Sequence, residues 1–357
     1  MATAQFAAKS SRSKIRVLIV DDSAPMRLLI CDILAADPAI EVIATAIDGI
    51  EGFEMAIALK PDVIILDVQM PRMDGISTLR RIMSSAPTRV IMLSCLTHAG
   101  AKTTFDALEA GAFDYVPKST SNNFHTEIIT KVREAGRVSA ATPVKPAAIP
   151  KAYAGSGIKA KARQITSVGI GASTGGPTAL REVLSQIPAG FPHGIFVAVH
   201  MPKAFTRSFA ELTNLKCAIT VKEAADGEML RPGVALIAPG GMHSTLVRRG
   251  SGIMVKTHPV DDYPGYNYTP SVDLMISSMA EASGGASLGV ILTGMGNDGF
   301  KGMQQLKLKG GATIVQDEAT SVIYGMPKAC IQGGLADDVL PLSQIGIRIA
   351  EFGLNQS

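Results

Sequence analysis

Two sets of residues in this 357-residue chain have side chains and positions suited to chemistry. The first is acidic with one lysine. Asp21 and Asp22 follow one apolar run, Asp67 ends another, Ser94 ends a third, and Lys118 follows a fourth. Carboxylates gathered at one place repel unless a hard cation neutralises them, and Mg²⁺, which favours oxygen ligands and retains waters, is the natural occupant. One such carboxylate could attack a phosphoryl donor while the metal and Lys118 offset the charge on the transferring oxygens. The second set is Ser173, His200 and Asp298. Gly171-Ala172-Ser173-Thr174-Gly175 has the G-x-S-x-G spacing that exposes a serine hydroxyl on a tight turn at a helix N-terminus, where the dipole favours developing negative charge. A serine nucleophile needs a base, and the base an orienting acid. His200 ends the apolar run GIFVAVH, and Asp298 lies in the turn GMGNDG. His243, in APGGMHS, follows another apolar run and stands as an alternative base. A rival reading makes Gly169-x-Gly171 a phosphate-binding turn, but the dinucleotide fingerprint needs glycine at 174, where threonine stands.

The elements that must position these groups read as two α/β segments. Over 15–135 the runs IRVLIV (15–20), EVIATA (41–46), DVIIL (62–66), RVIML (89–93) and DYVP (114–117) alternate with stretches of helical periodicity. Such alternation predicts a parallel sheet covered on both faces, with ligands at the carboxyl ends of its strands. Residues 136–164 change to an Ala-, Pro-, Lys- and Gly-rich text without periodicity, the composition of a tether. Over 165–352 strands are expected at TSVGIG (166–171), GIFVAVH (194–200), VALIAP (234–239), LGVILTG (288–294) and ATIVQ (312–316). Helices are expected near 177–187, 204–214, 271–283 and 298–309. A second doubly wound, mostly parallel sheet is the simplest account, with Ser173, His200 and Asp298 on one edge of it. Their chain order is not the Ser–Asp–His order of α/β-hydrolases.

Composition removes other classes. Hydrophobic residues at 46% and charged residues at 18% mark a globular chain. A net charge of +3 without a basic stripe gives no support to nucleic-acid binding, and no helix-turn-helix pattern follows the tether. No apolar run reaches the ~18 residues of a membrane span, and the N-terminus lacks an apolar signal core, so a cytoplasmic protein is expected. The four cysteines form no C-x-x-C pair, which indicates neither a disulfide framework nor a zinc site.

Residues 15–135 resemble a response-regulator receiver domain, of flavodoxin-like fold, through VDDS (20–23), LDVQMPRMDG (66–75), LS (93–94) and the lysine of VPK (116–118). The resemblance implies that Asp67 is the phospho-acceptor, that Asp21 and Asp22 hold Mg²⁺ with the Gln69 carbonyl completing the set, and that Ser94 and Tyr115 move when the aspartyl phosphate forms. Where the family has a proline after the lysine, this chain has Ser119. Residues 165–352 resemble the catalytic domain of chemotaxis protein-glutamate methylesterases through GASTGGP (171–177), HMP (200–202), APGGMH (238–243), PSVD (270–273) and TGMGNDG (293–299). That resemblance implies Ser173 as nucleophile, His200 as base, Asp298 as its orienter, the Met295 N–H as oxyanion donor, and Thr174 lining the site. The expected activity is phosphorylation-activated hydrolysis of glutamate γ-methyl esters, with deamidation of glutamines. Methyl-accepting chemoreceptors are the expected substrate and a chemotaxis histidine kinase the expected phosphodonor. A binding module with a vestigial hydrolase domain is the other reading, opposed by the complete Ser–His–Asp set. The run YNYT (266–269) before PSVD departs from the basic character common in the family.

Overall fold

A computed structural model describes residues 14–95, 97–118, 122–137 and 165–354. Most of the tether expected over 136–164, and Ser119, lie outside the described residues. The elements run β1 (Ile15–Val20), α1 (Ala24–Ala35), β2 (Ile40–Ala46), α2 (Gly49–Leu59), β3 (Val63–Asp67), α3 (Gly75–Ser85), β4 (Arg89–Ser94), α4 (His98–Glu109), β5 (Asp114–Pro117) and α5 (Asn122–Arg137). They continue with β6 (Ser167–Ala172), α6 (Gly176–Ser185), β7 (Gly194–Val199), α7 (Lys203–Asn214), β8 (Thr220–Glu223), β9 (Val234–Ile237), β10 (His243–Arg249) and β11 (Gly252–His258). The last are α8 (Val272–Ser283), β12 (Ser287–Ile291), α9 (Phe300–Leu308), β13 (Ala312–Gln316), α10 (Met326–Gln332), β14 (Asp338–Leu340) and α11 (Leu342–Leu354). The described residues divide into two compact units, 14–94 with those from 110 to 137, and those from 95 to 109 with 165–354.

The first unit holds a five-stranded sheet of order β2-β1-β3-β4-β5, parallel throughout. Its strands are apolar on both faces; all five residues of β3 are buried, as a sheet covered on both sides requires. The register sets the site. Val20 pairs with Leu66, so Asp21 and Asp67 leave neighbouring strands together. Ser94 pairs with Pro117, and the Lys118 N–H donates to the Ser94 carbonyl at 2.7 Å, which places Lys118 on the same edge. Helix starts are fixed by short polar side chains: Ser23 caps α1, Asp48 caps α2 and Asp74 caps α3, each accepting from backbone N–H of the first turn.

The second unit holds a seven-stranded parallel sheet of order β14-β13-β12-β6-β7-β9-β8, and a separate antiparallel hairpin, β10–β11. Chain order reverses between β6 and β12, the position where open α/β sheets collect ligands. Here too register does the work. Ala172 pairs with Val199, so the next residues, Ser173 and His200, leave adjacent strands side by side. On the other flank the Ser173 N–H donates to the Thr293 carbonyl at 3.0 Å, bringing in the turn that carries Met295 and Asp298. The core beneath is apolar: Phe196, Leu236, Met275, Ile276, Met279, Ile291 and Met303 are buried in one cluster.

Candidate functional site

In the first unit the three expected carboxylates meet. Asp21, Asp22 and Asp67 each present an oxygen within 4.8 Å of the others. Lys118 Nζ bridges two of them, 2.9 Å from Asp21 and 2.8 Å from Asp67. Burial pushes the Asp67 carboxyl above its usual range and the Asp21 charge adds to this, against the pull of Lys118 and the Gln69 N–H. Burial also works against the Lys118 ammonium, yet Asp67 and Asp21 together raise its pKa. An all-oxygen set with more negative than positive charge fits a hard divalent cation such as Mg²⁺. Ser94 is fully buried at the end of β4, while Gln69 is exposed just past β3. Tyr115 is buried in β5 with the Lys131 ammonium 5.0 Å from its ring centre, and Lys131 also donates to the Tyr115 carbonyl at 2.5 Å.

In the second unit Ser173 Oγ lies 3.0 Å from His200 Nδ1, and His200 Nε2 lies 2.8 Å from Asp298 Oδ2. Because an ionised carboxylate only accepts, Nε2 carries the proton and Nδ1 offers its lone pair to the serine. The ring thus uses its nitrogens in the opposite sense to the familiar serine-protease arrangement. The serine stands on a turn that needs glycine: Gly175 has φ +74°, and a Cβ there would fall 2.6 Å from Val322. Across the turn, a Cβ on Gly294 would fall 2.8 Å from that of Ser173, so only glycine lets the 294–298 turn close on the nucleophile. Gly294 is held by its own N–H to the Ile323 carbonyl and by Gly325 and Met326 donating to its carbonyl. Met295 follows, exposed, and among the described residues its N–H has no protein acceptor. Thr174 is buried, its carbonyl accepting from Thr293 Oγ1 at 3.0 Å.

Asp298 is buried and heavily satisfied. Oδ2 accepts from His200 and from the Val272 N–H at 2.8 Å. Oδ1 accepts from the Asp273 N–H at 2.8 Å, the Ser271 hydroxyl at 3.1 Å and the Gly299 N–H at 3.1 Å. Burial opposes ionisation, but the His200 bond and charge and the α8 amides outweigh it and hold the carboxyl below its usual range. The carboxylate in effect sits on the N-terminus of α8, where the macrodipole favours it. Asp273, itself in the first turn of α8, accepts from the Gly299 and Gly302 N–H groups at 2.8 and 3.0 Å and so pins the start of α9.

His243, the alternative base, is not at the serine. It is fully buried against Tyr263 and Tyr266, ring centres 5.8 Å away in each case, and His200 occupies the place beside Ser173. Three contributors were not anticipated: Ser271, the α8 amides of Val272 and Asp273, and Tyr268, which lies flat on the His200 ring. The motif PSVD signalled the first two, since a serine followed by a helical start marks an N-terminus able to bind an anion.

An acidic pocket with a lysine on one parallel sheet and a Ser–His–Asp chain on another have the arrangement of a receiver joined to a hydrolase. Comparison with known proteins agrees. Residues 17–130 match the response regulator receiver domain, and residues 168–349 match the CheB methylesterase family. The protein-glutamate methylesterase/protein-glutamine glutaminase 5 of Geobacter metallireducens is 55% identical over 356 residues, covering 95% of this chain and 98% of the relative. A protein of the same description from Lawsonia intracellularis is 43% identical over 352 residues, covering 94% of this chain and 98% of the relative. The crystal structure of the Thermotoga maritima CheB methylesterase catalytic domain is 40% identical with a TM-score of 0.50, covering 52% of this chain and 98% of that one. The chain belongs to the protein-glutamate methylesterase/protein-glutamine glutaminase family.

Proposed function

We propose that this chain hydrolyses glutamate γ-methyl esters on chemoreceptors and deamidates receptor glutamines, with Ser173, His200 and Asp298 as its catalytic residues. The observation that carries the reading is the unbroken chain Ser173 Oγ, His200 Nδ1, His200 Nε2, Asp298 Oδ2, with links of 3.0 and 2.8 Å. Ser173 Oγ attacks the ester carbonyl while His200 Nδ1 takes its proton, and Asp298 holds the imidazolium that forms. The carbonyl oxygen becomes an oxyanion, for which the Met295 N–H is the donor. Collapse of this intermediate expels the methoxy group, which takes the proton from His200 and leaves as methanol. Water then attacks the acyl-serine by the same route and frees the glutamate. With an amide in place of the ester the leaving group is ammonia. Thr174, beside the nucleophile, lines the pocket.

Control is proposed to enter at Asp67. A histidine kinase or small phosphodonor supplies the phosphoryl group that the Asp67 carboxylate accepts, with Lys118 beside the incoming oxygens. Asp21, Asp22 and Asp67, with the Gln69 carbonyl, would hold Mg²⁺, which when bound neutralises charge during the transfer. Ser94 and Tyr115 are the proposed responders, and residues 15–135, 136–164 and 165–352 the receiver, tether and catalytic domain. Among the described residues no helix is long and apolar enough to cross a membrane, and a cytoplasmic site of action goes with this reading. Methanol release from methylated receptor, with and without acetyl phosphate and Mg²⁺, tests it. Ser173→Ala is expected to leave only residual release, about a thousandfold or more below the parent, and unchanged release would end the assignment.

A further inference from the structure

Tyr268 stacks on the imidazole of His200 with ring centres 4.4 Å apart and planes within 4° of parallel. Its hydroxyl lies close to Gly296, where an added Cβ would come within 3.1 Å of it. Tyr268 thus reaches from the base to the turn that carries Met295 and Asp298. The stack supplies a restraint that the hydrogen bonds do not. Bonds at Nδ1 and Nε2 fix the ring along the line joining Ser173 and Asp298, but leave it free to tilt about that line. Such a tilt leaves both distances unchanged but alters the angles at which the ring meets the Ser173 and Asp298 oxygens, and small misplacements of a reacting group are costly in rate. A parallel ring on one face blocks the tilt. The phenol face is also electron-rich, so it attracts the imidazolium as that forms.

We propose that Tyr268 is a positioning residue for His200, holding the imidazole plane on the serine and giving its charged form an aromatic face. The inference rests on the serine-esterase reading above. It also gives the YNYT run a purpose: the position brings an aromatic face to the base rather than a charge to the substrate.

The test uses the full-length protein with p-nitrophenyl acetate, a small ester whose turnover does not depend on receptor docking. Tyr268→Leu is expected to lower kcat about five- to tenfold while KM stays within about twofold, the size of an aromatic pair's contribution. Tyr268→Phe, which keeps the face and loses the hydroxyl, is expected to stay within about twofold of the parent. With ¹³C-labelled histidine, the His200 ring proton should lose its ring-current displacement in Tyr268→Leu and keep it in Tyr268→Phe. Should Tyr268→Leu fail to fold, Tyr268→Gln takes its place. Undiminished kcat in the non-aromatic variant, or an equal fall in Tyr268→Phe, overturns the proposal. Ser173→Ala run alongside separates the two claims. An inactive Ser173→Ala with a fully active Tyr268→Leu sinks the positioning role alone, whereas an active Ser173→Ala sinks both.

Discussion

Asp67 and Asp298 are both buried carboxylates at the carboxyl edge of a parallel sheet, yet the protein treats them in opposite ways. Asp298 receives five donors, two of them amides from the first turn of α8, and is held below the usual carboxylate range. Asp67 shares one lysine with Asp21 and is pushed above that range by burial and by its acidic neighbour. A carboxylate with every lone pair engaged is a poor nucleophile and a reliable counter-charge, which is what an orienting acid must be. One left short of donors retains lone pairs for a phosphoryl group and room for a cation beside it. The lesson is that donor count, not sheet position, separates the two roles.

The strongest way to break this comparison is to remove the charge from Asp298 while keeping its shape. Asp298→Asn leaves a side chain that donates where His200 Nε2 also donates, which favours the wrong tautomer, and methanol release is expected to fall by about three to four orders of magnitude. A loss of less than about tenfold would show that the carboxylate's charge is not what the site uses. At the other carboxylate the expectation is selective. Asp67→Ala should abolish stimulation by acetyl phosphate with Mg²⁺ while basal methanol release stays within about twofold, because the substitution removes the acceptor and leaves Ser173, His200 and Asp298 in place. Stimulation that survives in Asp67→Ala would move the phospho-acceptor elsewhere.

Both carboxylates were legible in the sequence for one reason: each follows an apolar run, and in a parallel sheet the residue after a strand is at the ligand edge. Asp21, Ser94 and Lys118 on the first sheet and His200 on the second follow the same logic, Ser173 adds the G-x-S-x-G spacing, and strand register sets each group on the edge of its own sheet. The strands missed were those without an apolar run. The edge strand β8 reads TVKE with two of its four residues exposed, β14 has three residues, and the β10–β11 hairpin is interrupted by Arg248, Arg249 and Lys256. Helix α11 was hidden by Gly346 and Gly353 in its body; Gly346 lies where a Cβ would fall 2.5 Å from the Val183 carbonyl of α6. Tyr268 was out of reach for a different cause: it acts from a loop, where no periodicity fixes which way a side chain points.

Ser271 offers a sharper, smaller test of how much each donor to Asp298 matters. Its hydroxyl donates to Asp298 at 3.1 Å and accepts from the Leu274 N–H at 3.3 Å, so it serves the carboxylate and caps α8 at once. Ser271→Ala removes one of five donors and one cap. Stability is expected to fall by about 1 kcal/mol, the usual worth of such a cap, read as a shift in the urea midpoint with unchanged slope. Methanol release should fall only a few-fold, because four donors still hold the carboxylate. A loss as deep as that of Asp298→Asn would mean that the network acts as one unit.

The smallest expected effect contrasts two histidines of the second unit. His200 has a carboxylate to receive its charge, whereas His243 is fully buried among tyrosines, and among the described residues neither of its ring nitrogens is hydrogen-bonded to a protein group. Burial lowers the His243 pKa, and that of His193 in the same way, with the nearby Asp298 charge only partly offsetting it at His243. A free imidazole titrates near pH ~6.5. Below that value the unfolded chain takes up protons that the folded chain refuses, so stability is complete above it and drains as pH falls towards the depressed folded values. Each histidine contributes at most about 1.4 kcal/mol per pH unit in that window. Urea midpoints measured at pH 8 and pH 5.5 should therefore drop more for the parent than for His243→Phe, which keeps an aromatic ring against Tyr263 and Tyr266 but cannot be protonated. Equal drops would mean that His243 titrates in the folded protein as freely as in the unfolded one, and that its burial does not keep it neutral.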